Sequence, residues 1–171
     1  MMAPLIITGG KKHIADVKTF LKAAAAIGAS HGVTVQAVNA DAIADKTHLE
    51  YATKKAIEAF RQKRNLARDL GMEIMLYLRG RRQIERALDL GIKQGDNNVA
   101  ILILGDDAEK ALPAAKELLD TVDEKVVDYS HEKDLLLMKL YEITPAEIEI
   151  VGRDRIPELV RERSALLEFE K

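Results

Sequence analysis

The segment NVAILIL, Asn98–Leu104, holds an unbroken apolar run, and half of that run is β-branched. Such a strand has no polar face to offer to solvent, so it predicts a strand covered on both faces of a sheet. Working outward, Pro4–Thr8 is short and apolar, and Val33–Val38 alternates and is β-branched. Both predict further strands, and the apolar run Met72–Leu78 predicts a fourth.

Helical spacing of apolar residues connects these predicted strands. It predicts a helix over Ile14–Gly32 and a long helix that starts at a capping box, Thr47–Glu50. The long helix is expected to run to Asp69 or Leu70, with Gly71 as its stop. The next helix is predicted to have about three turns and to end at Gly91, and another is predicted from near Leu112 to Val122 with Pro113 in its first turn. A weak edge strand is predicted over Glu124–Ser130. The C-terminal part is predicted to hold a helix over Glu132–Ile143, a second capping box at Thr144–Glu147 and a last helix over Ile156–Phe169.

Strands that alternate with helices predict an α/β fold. We expect a single layered domain over residues 1–171, with a mixed central sheet of about four strands flanked by helices. The chain lacks cysteine, which excludes disulfides, thiolate zinc sites and cysteine nucleophiles. No apolar run approaches the roughly 20 residues that span a membrane. The composition is typical of a cytoplasmic protein.

Charge is distributed unevenly along the chain, although the net charge is only −2. The segment from Thr53 to Lys93 carries 11 basic and 5 acidic residues, a net charge of +6, and the remainder carries −8. A basic middle in an acidic chain is typical of a local anion-binding face. The alternative is a solvated surface on which basic residues cluster by chance.

Arginines crowd the place where the predicted strand Met72–Leu78 gives way to the next predicted helix. Arg79, Arg81 and Arg82 would lie at a helix start, where the free N–H groups make the environment positive. An anion would relieve that conflict, because guanidinium groups grip phosphate well. The alternative is that the side chains swing away into water. The polar face of the long helix adds Arg61, Arg64, Asn65 and Arg68.

Other candidate sites are weaker. Gly9–Lys12 offers glycines and lysines after a strand, but the spacing of a phosphate-binding P-loop is absent, so a plain turn is expected. Asp106 and Asp107 follow a strand without a second acidic cluster, so a turn or cap role is expected. The histidines lie far apart and are expected as surface or cap residues: His13, His31, His48 and His131. The sequence indicates no catalytic centre and no metal site.

The motifs of the middle segment resemble a known family. They are H-L-x-x-A from His48, ARDLGMEIMLYL ending at Leu78, and GRRQI from Gly80 to Ile84, in that order within Val33–Gly105. The chain resembles the TPRKB-like kinase-binding accessory subunits of the KEOPS complex, in their archaeal branch. The specificity comes from the order and spacing of the motifs.

The resemblance implies a non-catalytic subunit, without cofactor or metal, of the complex that installs threonylcarbamoyl-adenosine in tRNA. Such a subunit binds the kinase-like ATPase of the complex and recruits tRNA through its 3′ CCA end. The implied RNA-binding residues are Arg61, Arg64, Asn65, Arg68, Arg79, Arg81 and Arg82, and the implied kinase interface is Leu159, Val160, Leu166 and Leu167. Two alternatives stay open: a small phosphate-handling enzyme that uses Gly9–Lys12 with Asp106 and Asp107, and a protein–protein adaptor that does not bind RNA.

Overall fold

A computed structural model describes residues 3–170 of the chain. Strands and helices follow one another as β1 Leu5–Ile14, α1 Val17–His31, β2 Thr34–Asn39, α2 Lys46–Arg61, α3 Leu70–Arg79, α4 Ile84–Ala87, β3 Gly95–Leu104, α5 Ala108–Glu117, β4 Thr121–Val122, α6 Asp134–Leu140, α7 Pro145–Val151, α8 Ile156–Ala165 and α9 Leu167–Glu170. The predicted α/β class is confirmed. Short 3-10 turns lie between some of these elements.

Two compact units divide the chain, and each is built from two segments. The first unit takes residues up to Ala40 together with Gly91–Val127 and contains the sheet. The second unit takes Asp41–Leu90 and the residues from Asp128 onward and is helical. The expectation of one domain over residues 1–171 stays a prediction.

The sheet of the first unit has the strand order β2-β3-β1-β4. Each pairing is antiparallel, so the predicted mixed sheet is corrected to an antiparallel one of four strands. The reason is that β3 lies between β1 and β2, which run in the same direction and are joined by α1 but do not touch as neighbours. Predicted strand Asn98–Leu104 is confirmed as most of β3, and its residues from Val99 to Leu104 are buried.

Gly9 and Gly10 lie inside β1 and do not form a turn. They pair with Ala100 and Val99 of β3, so the plain turn predicted for Gly9–Lys12 is wrong, and the enzyme alternative loses its phosphate-binding loop. A Cβ atom on Gly10 would lie 2.1 Å from the carbonyl oxygen of Thr121. The glycine is therefore needed because β4 packs directly onto the β1 backbone.

Helix α5 buries an alanine face against the sheet of the first unit: Ala108, Ala111 and Ala115. The helix begins at Ala108, about one turn earlier than predicted, and ends at Glu117, so Pro113 lies inside it. The backbone carbonyl of Asp107 accepts the first helical hydrogen bonds. Pro113 has no N–H and so loses one helical hydrogen bond, and burial of the alanine face outweighs that loss. The edge strand predicted over Glu124–Ser130 is also wrong, since β4 forms this edge of the sheet at Thr121–Val122 and Glu124–Val127 forms a 3-10 turn.

Helix α2 opens the helical second unit. Its N-cap is Asp45, whose carboxylate accepts a hydrogen bond from the His48 backbone N–H at 2.9 Å, so the predicted Thr47–Glu50 capping box is wrong. The helix ends at Arg61 and not at Asp69 or Leu70. Just beyond its end, Lys63 adopts a left-handed backbone conformation with φ of 57°, which turns the chain out of the helix.

Helix α3 contains the segment Met72–Leu78 that the sequence predicted as a strand. Its N-cap Asp69 accepts a hydrogen bond from the Met72 N–H at 2.9 Å, and Gly80 closes it with φ of 76°. A run that is buried on nearly all sides loses the helical periodicity of its apolar residues, which explains the wrong prediction. Gly80 is required for a second reason, because a Cβ there would lie 2.3 Å from the Arg163 carbonyl oxygen.

The C-terminal helices follow the sequence signals more closely. Thr144 and Glu147 form the predicted capping box at the start of α7, with Pro145 in the first turn. The helix predicted to end at Gly91 shortens to α4 and a 3-10 turn, and the predicted last helix is divided into α8 and α9. Of the helices in residues 3–170, none is long and apolar enough to cross a membrane.

Candidate functional site

Arg79 is the last residue of α3, not the first residue after a strand. Arg79 is 4% exposed, and its guanidinium carbon lies 5.7 Å from the centroid of the Tyr141 ring, within reach of a cation–π interaction. Burial lowers the pKa of Arg79, although the Tyr141 side chain opposes that shift. Its Nε is buried and has no hydrogen-bond partner among residues 3–170. A cation at a helix C-terminus also matches the helix dipole, so no anion is needed to explain this arginine.

Arg81 and Arg82 lie in the connection between α3 and α4. One guanidinium nitrogen of Arg81 lies 3.0 Å from a carboxylate oxygen of Glu142, and another lies 3.5 Å from Glu170. Arg82 is exposed and forms no ion pair within the described part of the chain. Arg81 and Glu142 line an open, polar cleft of about 550 Å³ together with Gln83, Glu85 and Arg86.

We call residues 61–68 the arginine loop, because they carry Arg61, Arg64 and Arg68 at and beyond the end of α2. The sequence predicted them on one face of a continuous helix, which is wrong for all but Arg61. Asn65 donates from its amide nitrogen to the Ala67 carbonyl at 2.9 Å, inside the loop. Arg61 and Arg68 are exposed and, within residues 3–170, form no ion pair.

Glu73 fixes the backbone of the arginine loop through its buried side chain. Its carboxylate is fully buried, and Oε1 accepts hydrogen bonds from the backbone N–H groups of Leu66 at 2.9 Å and Ala67 at 2.8 Å. These bonds replace the helical bonds that the predicted continuous helix would have made. Sequence reasoning missed Glu73, although a glutamate within an otherwise apolar run was a visible signal.

The short helix α9 forms ion pairs both with the arginine loop and with Arg81 in the α3–α4 connection. Glu168 lies 2.6 Å from Arg64 through Oε2, and its Oε1 accepts a hydrogen bond from the Tyr77 hydroxyl at 2.5 Å. Burial raises the pKa of Glu168, but hydrogen bonds from Tyr77 and Arg64 outweigh it and the net shift is downward. Because Glu170 pairs with Arg81, one helical turn carries carboxylate partners of both Arg64 and Arg81.

Tyr77 is the aromatic residue that the sequence placed closest to the arginines. Its side chain is fully buried, so its ring offers no face to a ligand. Its role is to anchor α9 through Glu168, and burial together with that hydrogen bond raises the pKa of its hydroxyl.

His48, which was expected at the surface or in a cap, is fully buried in the second unit. Its Nδ1 accepts a hydrogen bond from the Ala44 backbone N–H at 3.1 Å, so the proton must sit on Nε2. Nε2 then donates to the Leu78 carbonyl at 3.0 Å and the Ser164 hydroxyl at 2.9 Å. Burial lowers the pKa of His48 to about 4, so the imidazole is neutral and ties α2 to α3 and α8.

The four residues predicted at a kinase interface differ in exposure. Leu159, Val160 and Leu167 are buried within the second unit, where they pack as core. Leu166 is 46% exposed and is available to a partner.

The remaining candidates do not form a site. Asp107 precedes α5 without a side-chain cap and pairs with Lys110 at 3.5 Å. Across residues 3–170, no group of three or more histidine and acidic side chains is arranged to hold a metal ion. His13 and His131 are exposed, as predicted.

Known proteins resemble this chain over most of its length. The family model described as kinase binding protein CGI-121 matches residues 12–167. A curated relative, the regulatory protein Cgi121 of Methanocaldococcus jannaschii, is 28% identical over 141 residues, which cover 82% of this chain and 87% of that relative. The family match extends through segments of both units, well beyond the middle segment that carries the sequence motifs.

Proposed function

The chain belongs to the CGI-121 family of kinase-binding proteins, and from that membership we propose that it is a non-catalytic regulatory subunit of the KEOPS complex. In this role it binds the kinase-like ATPase of the complex and recruits tRNA through the 3′ CCA end. The observation that carries the RNA part is that Arg61, Arg68 and Arg82 are exposed and, within residues 3–170, have no carboxylate partner.

The exposed arginines supply the phosphate contacts in this proposal. Arg61, Arg68 and Arg82 present guanidinium groups that are unpaired in the described part of the chain, and such groups bind phosphate through charge-assisted hydrogen bonds. Arg64 and Arg81 are held in place by their glutamates and keep unused N–H donors. Asn65 shapes the loop, and buried Arg79 positions the corner that carries Arg81 without touching RNA.

The kinase contact is proposed for the C-terminal helices α8 and α9. Leu166 supplies its exposed apolar surface, whereas Leu159, Val160 and Leu167 support the helix from inside. The name of the family and that of the M. jannaschii relative, a regulatory protein, support a partner-binding role.

The enzyme alternative loses the feature on which it rested. Its phosphate loop, Gly9–Lys12, is part of strand β1 and its backbone N–H groups face neighbouring strands. The adaptor without RNA binding differs from the proposal only in the RNA measurement, so the same experiment separates the two.

Gel shifts with intact tRNA and with tRNA trimmed of its CCA end test the RNA part of the proposal. We expect tighter binding of intact tRNA and a steep loss of affinity with salt. Equal affinity for both tRNAs would refute the 3′-end contact, and absence of binding would leave the adaptor.

Charge reversal tests the location of the site. Arg68→Glu with Arg82→Glu should abolish tRNA binding and leave the melting temperature nearly unchanged, because both side chains are exposed and neither forms an ion pair within residues 3–170. The matched control, Lys18→Glu with Lys22→Glu, changes the charge equally on exposed positions of α1 and should bind as the wild type does. Capture of the kinase subunit, measured separately, should survive both pairs of substitutions.

A further inference from the structure

The first unit contains an open groove of about 380 Å³, formed by the end of β1, the first two turns of α1 and the end of α5. We call it the α1–α5 groove, and its lining includes Ile14, Phe20, Ala23, Glu117 and Leu118. Its floor is apolar, because the isoleucine and the phenylalanine are buried and the alanine and the leucine are half-buried. Ligand pockets usually enclose about 300–1,000 Å³, so a groove at the small end of that range holds one or two side chains and no large cofactor.

The basic side chains on the rim of the α1–α5 groove already have acidic partners. Lys12 Nζ lies 3.2 Å from a carboxylate oxygen of Asp120, and His13 Nδ1 lies 2.7 Å from one of Asp96. Neither of these two aspartates lines the groove. Within residues 3–170, an anionic ligand would therefore find no unpaired cation among the residues of the rim.

The acidic side chains on the same rim have no cationic partner. Glu117, the last residue of α5, is exposed and forms no ion pair within residues 3–170. Asp16 caps α1, where its carboxylate accepts hydrogen bonds from the Lys18 N–H at 3.3 Å and the Thr19 hydroxyl at 2.5 Å, and no described cation pairs with it. The carbonyl end of α5 adds the negative end of a helix dipole beside Glu117. The rim therefore favours a positively charged group next to an apolar one.

We propose that the α1–α5 groove is a docking site for a basic amphipathic segment of a partner protein. An aliphatic or aromatic side chain of that segment packs on Ile14, Phe20 and Leu118, and a neighbouring lysine or arginine pairs with Glu117. Because the groove is open, a free amine would keep much of its surface hydrated, whereas a polypeptide adds backbone contacts on either side of the anchored side chain. The names of the family and of the M. jannaschii relative also indicate partner binding.

Short peptides test the two halves of this recognition separately. NMR titration of the isotope-labelled chain with acetyl-GRLG-amide should shift the methyl signals of Ile14 and Leu118. The peptides acetyl-GELG-amide and acetyl-GRSG-amide lack the positive charge and the apolar side chain, respectively, and should bind roughly fivefold or more weakly. Equal affinity for the acidic peptide, or groove signals that acetyl-GRLG-amide does not move, would overturn the docking site.

A small amine separates a polypeptide from a free ligand. Isopentylammonium carries the same charge and a similar apolar body without a backbone, so it should bind more weakly than acetyl-GRLG-amide. Equal affinity for the two would overturn docking of a polypeptide and assign the groove to a small organic cation.

Substitutions test which residues form the site. Glu117→Gln should weaken binding of acetyl-GRLG-amide roughly two- to fivefold, the loss of one exposed ion pair, and Ala23→Phe should abolish it by filling the floor. The matched control is Glu109→Gln, which removes the same charge from an exposed position in the first turn of α5 and should bind as the wild type does. Both glutamine variants should keep the wild-type melting temperature, since both positions are exposed. Peptide affinity that is unchanged in Glu117→Gln, or lowered equally in Glu109→Gln, would overturn the role of Glu117 and the proposal with it.

Discussion

Replacement of Glu73 by alanine should detach the arginine loop from the fold. In the native chain, Oε1 of this buried carboxylate accepts the N–H groups of Leu66 and Ala67. Hydrogen bonds to a charged group contribute about 1.5–3 kcal/mol each, and water can reach the N–H of Leu66 more easily than that of Ala67. We therefore expect Glu73→Ala to lower the free energy of unfolding by about 3 kcal/mol.

Glu73→Gln separates the hydrogen bonds from the charge. Glutamine keeps one acceptor oxygen, and neutral hydrogen bonds are about half as strong as charge-assisted ones, so we expect roughly half of the loss. Glu162→Ala, at an exposed glutamate of α8, is the control and should stay within about 0.5 kcal/mol of the wild type.

Urea unfolding and amide hydrogen exchange measure these effects. The amide protons of Leu66 and Ala67 should exchange faster in Glu73→Ala, and those of the first turn of α1 should not change. If Glu73→Ala unfolds within 0.5 kcal/mol of the wild type, or if the two amides keep their protection, then Glu73 does not hold the loop. If the loop binds tRNA, its release should also weaken tRNA binding, because a mobile loop must be ordered again in the complex.

Two further predictions concern the packing around α3. His48 binds a proton with a pKa of about 4 in the folded chain and 6.5 in the unfolded chain, so the unfolded state takes up more protons between these values. Stability should therefore fall as pH drops from about 6.5 to about 4, and His48→Gln, measured by urea unfolding at several pH values, should remove most of that slope; a slope unchanged in the variant would contradict the assignment. Gly80→Ala should cost more than Gly32→Ala, by about 1–3 kcal/mol, because both glycines have positive φ but only a Cβ on Gly80 meets backbone, at Arg163. Equal melting temperatures of the two alanine variants would show that the chain relaxes around the added methyl group.

Local signals predicted a good part of the fold. Strand β3 follows from a continuous apolar run of which half is β-branched, and the α7 cap follows from four residues, Thr144–Glu147, whose partners lie within one turn. These elements were predictable because the groups that stabilise them are close in sequence.

Met72–Leu78 shows where local signals fail. The seven residues contain one charged side chain, Glu73, and show no periodic spacing of polar residues. Such a run suits a buried strand and a buried helix equally well. The choice of helix depends on the Asp69 cap and on packing against α2 and α8 around His48 and Ser164. The error changed the interpretation of the arginines, since Arg79 lies at a helix C-terminus, where a cation is favourable, and not at a positive helix start.

The amino-acid sequence alone determined the α/β class, the central strand, the basic character of the segment from Thr53 to Lys93 and the family resemblance, because these depend on composition and on short-range pattern. Only the tertiary structure decided which arginines face solvent, that Gly9 and Gly10 admit a neighbouring strand, and that Arg64 and Arg81 meet the same C-terminal turn. Glu168 lies 104 residues from Arg64 in sequence, and a contact over that separation exists only once both elements pack on a common core.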